Sequence, residues 1–403
     1  MYDLAALGAW IEFAVRWLHV ITAIAWIGSS FYFIALDLGL HRDRNLASGA
    51  DGEEWQVHGG GFYHIQKYLV APTHMPDGLI WHKWQSYWTW ISGFLLLVLV
   101  YYLGAEFYLI DPNVMDLAVW QAVAISLASL AFGWAVYHLL CKLFVDADQT
   151  VLMVALFGLL VAMAWFYTQV FTGRAALLHL GAFTATIMSG NVFFVIIPNQ
   201  KIVVADLMAG RTPDAIYGKI AKQRSTHNNY LTLPVIFLML SNHYPLSFAS
   251  DWNWVIASLV FLMGVTIRHW FNTHHARKGN PHWTWVATVL IFIAIVWLSV
   301  APPASQQEAR AVSRFAQAQG FEKVHNIVQG RCSMCHASEP FWDGVHWAPK
   351  GVVLETEADL TRHARAVYLQ SGISHAMPPA NLSYMEDGER AAIVAWYRAA
   401  TAP

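Results

Sequence analysis

Apolar residues gather along this chain into long runs separated by short polar connections. Runs of roughly 18 or more mainly apolar residues, the length that crosses a hydrocarbon core of about 30 Å, occur at 10–37, 87–109, 117–142, 149–171, 175–198, 229–248, 253–272 and 282–301. The pattern predicts eight transmembrane helices. The sixth is the shortest in apolar terms, because Pro234 and Ser241-Asn242-His243-Tyr244-Pro245 interrupt it. After Ala301-Pro302-Pro303 the pattern changes to Ser305-Gln306-Gln307-Glu308-Ala309-Arg310, and no further spanning run follows. The expected fold is therefore all-α: an eight-helix transmembrane bundle over 1–303 and a separate soluble domain over 304–403, divided at a proline-marked boundary.

The apolar runs also resemble one another in order. His19 opens a stretch through Phe31 that matches His179 through Asn191, each continuing into aromatic residues and a long polar connection. Tyr87, Thr89, Phe94 and Leu95 match Tyr230, Thr232, Phe237 and Leu238 at the same spacing. Gly133 and His138 match Gly264 and His269, and Trp165 matches Trp297. This reads as a 4+4 tandem repeat, in which both units keep one orientation about a pseudo-twofold along the membrane normal. The bland alternative is chance likeness among apolar segments.

Composition agrees with the pattern and adds a direction. Of 403 residues 57% are hydrophobic and only 12% charged, about half the charged share of soluble domains, which excludes an ordinary water-soluble enzyme. The 20 Trp, 16 Tyr and 22 Phe suit membrane interfaces, and a net charge of -2 leaves no basic footprint for nucleic acid. Arg42, Arg44, Lys67 and Lys83 fall between runs 1 and 2, and Lys201, Arg211, Lys219, Lys222 and Arg224 between runs 5 and 6. The alternate connections hold only Arg174, so the basic loops are expected inside, with both termini and the C-terminal domain outside. The first run is expected to be retained, since no basic n-region or cleavage site marks a signal peptide.

Candidate chemistry is sharpest in the C-terminal part. Cys332-Ser333-Met334-Cys335-His336 has the c-type haem attachment spacing, two thioether-forming thiols followed directly by an iron ligand. An Ala-rich amphipathic stretch at 305–330 precedes it and a closing helix through Trp396-Tyr397 follows, as a small class I cytochrome c needs. Met377, before Pro378-Pro379, is the natural sixth iron ligand. A zinc or thiol-redox site fits less well, because there is no second Cys pair. His325, His346, His363 and His375 read as surface residues, and Cys141 as a buried thiol.

In the apolar part, ionisable groups at membrane depth are costly and usually face the bundle interior. His19 with His179, and His138 with His269, are candidate ligands for haem b between facing helices. A hydrogen-bonded packing role is the plain alternative for each. His274 and His275, beside Arg277 and Lys278, read as solvated loop.

The run Arg16 to Phe33, the loop His58-Gly59-Gly60-Gly61-Phe62-Tyr63-His64 and the segment Thr226-His227-Asn228-Asn229-Tyr230, followed by a CxxCH domain, resemble the bacterial membrane-bound, cytochrome-c-coupled urate oxidases over essentially the whole chain. The first run is also similar to the His-bearing helix of haem-binding protoporphyrinogen oxidases. The resemblance implies oxidation of urate to 5-hydroxyisourate in purine catabolism, in the bacterial cytoplasmic membrane. Electrons then pass through the haem c to a terminal oxidase or soluble cytochrome c of the respiratory chain. A urate anion needs a cationic, amide-rich cradle, for which Arg224, Thr226, His227, Asn228 and Asn229 at the start of the sixth run, and His64 and Lys67 after the glycines, are candidates. Trp81, Trp84 and Trp88 are candidates to stack on the ring, although they equally suit an aromatic belt, and Arg224 and Lys222 equally suit positive-inside topology. Two other classes remain open: a quinol-linked electron-transfer subunit with membrane b haems, and a copper-handling protein, against which the 12 Met are dispersed. A homo-oligomer is compatible with all of these.

Overall fold

A computed structural model describes residues 4–43, 45–68, 78–112, 114–144, 148–300 and 314–401. The chain forms two compact units, Met1–Val300 and Ala301–Pro403. The boundary expected near 303 and the first part of the 305–330 stretch lie outside the described residues.

Every predicted apolar run falls on helix. In chain order these are α1 (Leu4–Gly39), α2 (Trp84–Leu96) with a π-helical continuation Leu97–Tyr102, the short α3 (Ala105–Tyr108), α4 (Val119–Leu143), α5 (Gln149–Val170), α6 (Gly173–Gly190), α7 (Ile197–Met208), α8 (Ala215–Leu240), α9 (Asn253–His275) and α10 (Trp283–Ser299). Asp148, Thr172 and Asp214 cap α5, α6 and α8 by accepting from backbone N–H groups of the first turn. Among the described residues, five helical segments are long and apolar enough to cross a membrane: Leu7–Gly39, Val119–Leu143, Gln149–Val170, Gly173–Met208 and Asn253–His275. Trp283–Ser299 is apolar but shorter.

Two departures from the expected pattern matter. The connection after α1 is not all-α: Ala50–His58 (β1) and Gly61–Tyr68 (β2) pair antiparallel, with Trp55 opposite His64. Gly59 and Gly60 have φ of 59° and 79°, which a two-residue turn between twisted strands requires and only glycine adopts freely. The second departure is α8, which starts at Ala215 rather than near 229, so Lys219, Lys222 and Arg224 are helical and not loop residues. Pro234 sits inside α8, and the helix ends in 3-10 turns at Ser241–His243 and Pro245–Ser247.

Helix α6 lies at the centre, with Leu177, His179, Phe183, Thr184 and Ile187 fully buried. Glycines let its neighbours close in: a Cβ on Gly133 of α4 would lie 2.2 Å from the Phe183 ring, and one on Gly190 2.6 Å from the Trp134 ring. Gly264 of α9 meets Pro234 of α8 in the same way, at 2.5 Å. The helix contacts occur in matching sets: α1 on α2 and α6 on α8, α2 on α6 and α8 on α1, α4 on α6 and α9 on α1, α4 on α5 and α9 on α10. Each set is related by the residue correspondence read from the sequence. The α8–α9, α5–α9 and α5–α6 packings have no counterpart of similar extent.

In the C-terminal unit, α11 (Phe321–Arg331) leads into a turn at Ser333–His336, and α12 (Asp387–Thr401) closes the unit. Trp396 of α12 is 1% exposed, donates through Nε1 to the Phe315 carbonyl at 3.1 Å and packs on Phe321. Tyr397 stacks on Tyr368 with centroids 4.2 Å apart. His346 and His375 are exposed as expected, whereas His325 and His363 are half-buried. Burial and the neighbouring Arg362 lower the basicity of His363.

Candidate functional site

The polar interior of the first unit is organised by α8. At 3.6 residues per turn, Arg224, His227 and Asn228 share one face, which meets α4 and the π-helical segment Asn191–Ile196 that follows α6. Arg224 NH1 donates to Asn191 Oδ1 at 3.3 Å, and NH2 lies 3.4 Å from His138 Nδ1. The guanidinium stands over the Tyr137 ring, with Cζ 4.9 Å from its centroid. Asn191 Nδ2 donates to both Tyr137 Oη and Asn228 Oδ1 at 2.9 Å, and Asn228 Nδ2 donates to the Met188 carbonyl. Tyr137 Oη also bonds His227 Nδ1 at 2.8 Å. Asn191 owes its position to the π-helical turn, a local widening common at functional sites.

A second cluster occupies another side of α8. Arg268 of α9 donates from Nε to Asn229 Oδ1 at 3.2 Å and from NH2 to Asn272 Oδ1 at 3.0 Å; Asn272 Nδ2 donates to Asn229 Oδ1 at 2.9 Å. Phe31 of α1 covers the guanidinium, 4.1 Å from Cζ. Arg224 and Arg268 are 2% and 5% exposed, yet among the described residues neither pairs with a carboxylate. Arg224 Nε and Asn229 Nδ2 are buried without a hydrogen-bond partner. An unpaired buried donor costs about 1–3 kcal/mol, so both clusters have capacity left for an acceptor.

Beside these clusters a cleft of about 540 Å³ opens between α5, α8 and α9, lined by Gln149, Lys219, Thr226, His227, Tyr230 and His269 among others. His227 joins the two environments, facing the cleft and bonding Tyr137. Thr226 donates to the Lys222 carbonyl. Of the other residues expected to cradle an anion, His64 bonds Glu53 at 2.8 Å and stacks on Trp55, while Lys67 pairs with Asp37, which also meets Lys222 at 3.4 Å. Both are already engaged by carboxylates, and they tie the hairpin down. Trp84 and Trp88 are exposed, and Trp81 packs against Val192, Ile196 and Ile197.

The four histidines of the apolar helices lie in different surroundings. His19 Nδ1 donates to the Thr89 carbonyl of α2 at 3.0 Å, close to Ser92 Oγ. His179 Nδ1 donates to the Ala175 carbonyl and its Nε2 accepts from Ser126 Oγ at 2.9 Å, so both ring nitrogens are engaged in packing. His138 sits beside Arg224, while His269 lines the cleft.

Residues 5–299 match the family model described as urate oxidase N-terminal. The chain belongs to this family. Membership points to a urate-related function and to oxidoreductase chemistry. No curated protein and no solved structure matches the chain. Within the urate oxidase N-terminal region, Arg268, Asn191, Asn272 and Tyr137 join the candidate residues, and the sequence reading did not single them out. A lone arginine inside an apolar run was the available signal for Arg268.

Beyond the urate oxidase N-terminal region, Cys332 and Cys335 are free thiols. Burial pushes the Cys332 thiol up to about 12 and raises that of Cys335. His336 Nδ1 donates to the Val352 carbonyl at 2.7 Å, which fixes the tautomer and leaves the Nε2 lone pair available. The loop bearing Met377 is held by Arg390, which donates to the Met377 and Ser371 carbonyls at 2.9 and 2.6 Å. Phe341, Trp347, Leu382 and Tyr384 are 49–80% exposed, apolar surface of the kind a macrocycle covers. These residues fit a covalently attached haem c.

Proposed function

We propose that the protein is a bacterial cytoplasmic-membrane urate oxidase that converts urate to 5-hydroxyisourate and delivers the electrons to the respiratory chain. In this reading eight helices span the membrane as two related sets of four, the arginine- and lysine-rich end faces the cytoplasm, and the termini and cytochrome c domain are periplasmic. One observation carries it: in a chain of the urate oxidase N-terminal family, α8 buries the Arg224 guanidinium beside an amide and an imidazole, with no carboxylate partner among the described residues. A buried cation without a counter-charge is costly, and an anionic substrate offsets that cost.

The reaction takes urate and one water to 5-hydroxyisourate, two protons and two electrons. Arg224 favours the anion and the negative charge that grows as a proton leaves. Asn191 and Asn228 hold the guanidinium and Tyr137 in place, and His227, open to the cleft and bonded to Tyr137, accepts a proton and orients water. Thr226 and His269 line the route by which a cytoplasmic substrate enters. Haem c, held by Cys332, Cys335, His336 and Met377, supplies one-electron acceptance when bound, which gives the electrons an exit that makes no peroxide.

The test is an anaerobic absorption spectrum of the purified full-length protein. Urate is expected to produce reduced c-type bands and 5-hydroxyisourate without oxygen. Reduction by a quinol and none by urate would select the quinol-linked subunit instead.

A further inference from the structure

Arg268 and its two amides form a site that the reaction scheme above does not use. Both amide oxygens point at the guanidinium, since Asn229 Oδ1 accepts from Arg268 Nε and Asn272 Nδ2, and Asn272 Oδ1 accepts from Arg268 NH2. Flipping the Asn229 amide would set its NH2 against these donors, so its orientation is determined by the network. That orientation leaves Asn229 Nδ2 without an acceptor on a side chain that has no exposed surface. Phe31 covers the guanidinium from α1, and Phe271 stands 5.8 Å from Cζ, so aromatic walls flank the charge.

We propose that Arg268, Asn229 and Asn272 form the pocket that holds the anionic, carbonyl-bearing edge of a planar oxyanion substrate. Arg268 supplies the charge, Asn229 Nδ2 donates to a ring carbonyl oxygen, and Asn272 keeps both groups in register. The pocket selects an oxidised, negatively charged purine over an uncharged one that lacks the extra carbonyls. This assignment rests on the urate reading and divides the labour within it: Arg268 holds the anionic edge of the substrate, whereas Arg224 acts on the His227 side, where charge grows as the proton leaves.

The test uses full-length protein in lipid nanodiscs, with urate binding measured by anaerobic equilibrium dialysis and unfolding followed in parallel. If the wild type binds no urate, the urate reading itself falls. Given wild-type binding, Asn229→Asp places a carboxylate beside Arg268 and should weaken urate about 10- to 150-fold, the worth of a charge-assisted hydrogen bond, without lowering the unfolding temperature. Arg268→Lys keeps the charge but loses the planar fork, and is expected to weaken urate about 10-fold or more with a normal chromatographic profile. Hypoxanthine, uncharged at neutral pH, should not compete with urate in the wild type. Unchanged urate affinity in either variant, or effective competition by hypoxanthine, overturns the assignment.

Discussion

Buried arginines occur in both units of this protein, and they are treated differently. In the C-terminal unit Arg390 is 6% exposed and also lacks a direct carboxylate bond, but it donates to the carbonyls of Ser371 and Met377 and to Asn381 Oδ1, and no buried atom of it is left over. In the helical bundle Arg224 keeps an unpartnered Nε, and the network around Arg268 ends on the unpartnered Asn229 amide. Burial and, among the described residues, the absence of a directly bonded carboxylate are common to both regions. What separates them is whether the hydrogen-bond capacity is closed. Backbone carbonyls that cannot move close it in the C-terminal unit, where the arginine holds a loop; amides and an imidazole leave it open in the bundle, where a ligand can complete it.

That contrast predicts opposite balances of activity and stability. The largest effect is expected for Arg224→Gln: urate turnover falls about 100-fold or more, the scale of a lost electrostatic donor, while the detergent-solubilised bundle unfolds within a few degrees of wild type. A loss of folded protein in step with activity would remove the distinction. Arg390→Gln should act on stability, leaving two carbonyls unpaired at about 1–3 kcal/mol each. Hydrogen exchange followed by mass spectrometry should then accelerate across Tyr368–Ile373 and Asp387–Thr401 and not in α8.

A smaller effect is expected where helices meet without charge. Gly264→Ala sets a methyl against Pro234 and should cost about 1–3 kcal/mol, read as a lower thermal midpoint of the bundle. An unchanged midpoint would mean that α8 and α9 can separate freely.

The smallest effect is a pH dependence in the C-terminal unit. Burial alone would raise the Glu389 carboxyl, but hydrogen bonds from Arg331 and the Glu386 backbone outweigh it and hold the carboxyl below its usual range. A depressed carboxylate contributes stability that is present above its unfolded-state value and is lost as pH falls through the folded one. Acidification below the ordinary glutamate range should therefore speed exchange in α12, and Glu389→Gln should flatten that dependence. Equal acid sensitivity in both proteins would assign it to other carboxylates.

Much of the helical unit was legible because a long apolar run between polar breaks is a local signal for helix. All eight runs fall on helix for this reason. The β-hairpin was not read, although Gly59-Gly60 between alternating residues is a turn signal, because the long polar connection was taken as loop. The segment Arg224 to Asn229 was recognised as chemically rich but was placed at a loop margin; the Asp214 cap starts the helix earlier and buries it. His64 and Lys67 looked like free cations, and their partners Glu53 and Asp37 became visible only when the strands and α1 were packed. Arg268 was passed over beside the more conspicuous His269.

From the sequence alone came whatever depends on neighbours along the chain: the apolar lengths, the sorting of basic residues, the repeated order of the helices and the spacing of Cys332, Cys335 and His336. Tertiary structure decided which charges are satisfied. Tyr137 and His227 are ninety positions apart, and Arg268 and Asn229 thirty-nine, yet they share hydrogen bonds. Whether a buried guanidinium meets a carboxylate, a carbonyl or an open donor depends on approaches of a few ångströms between helices, and short-range electrostatics at that scale has no signature in the linear order.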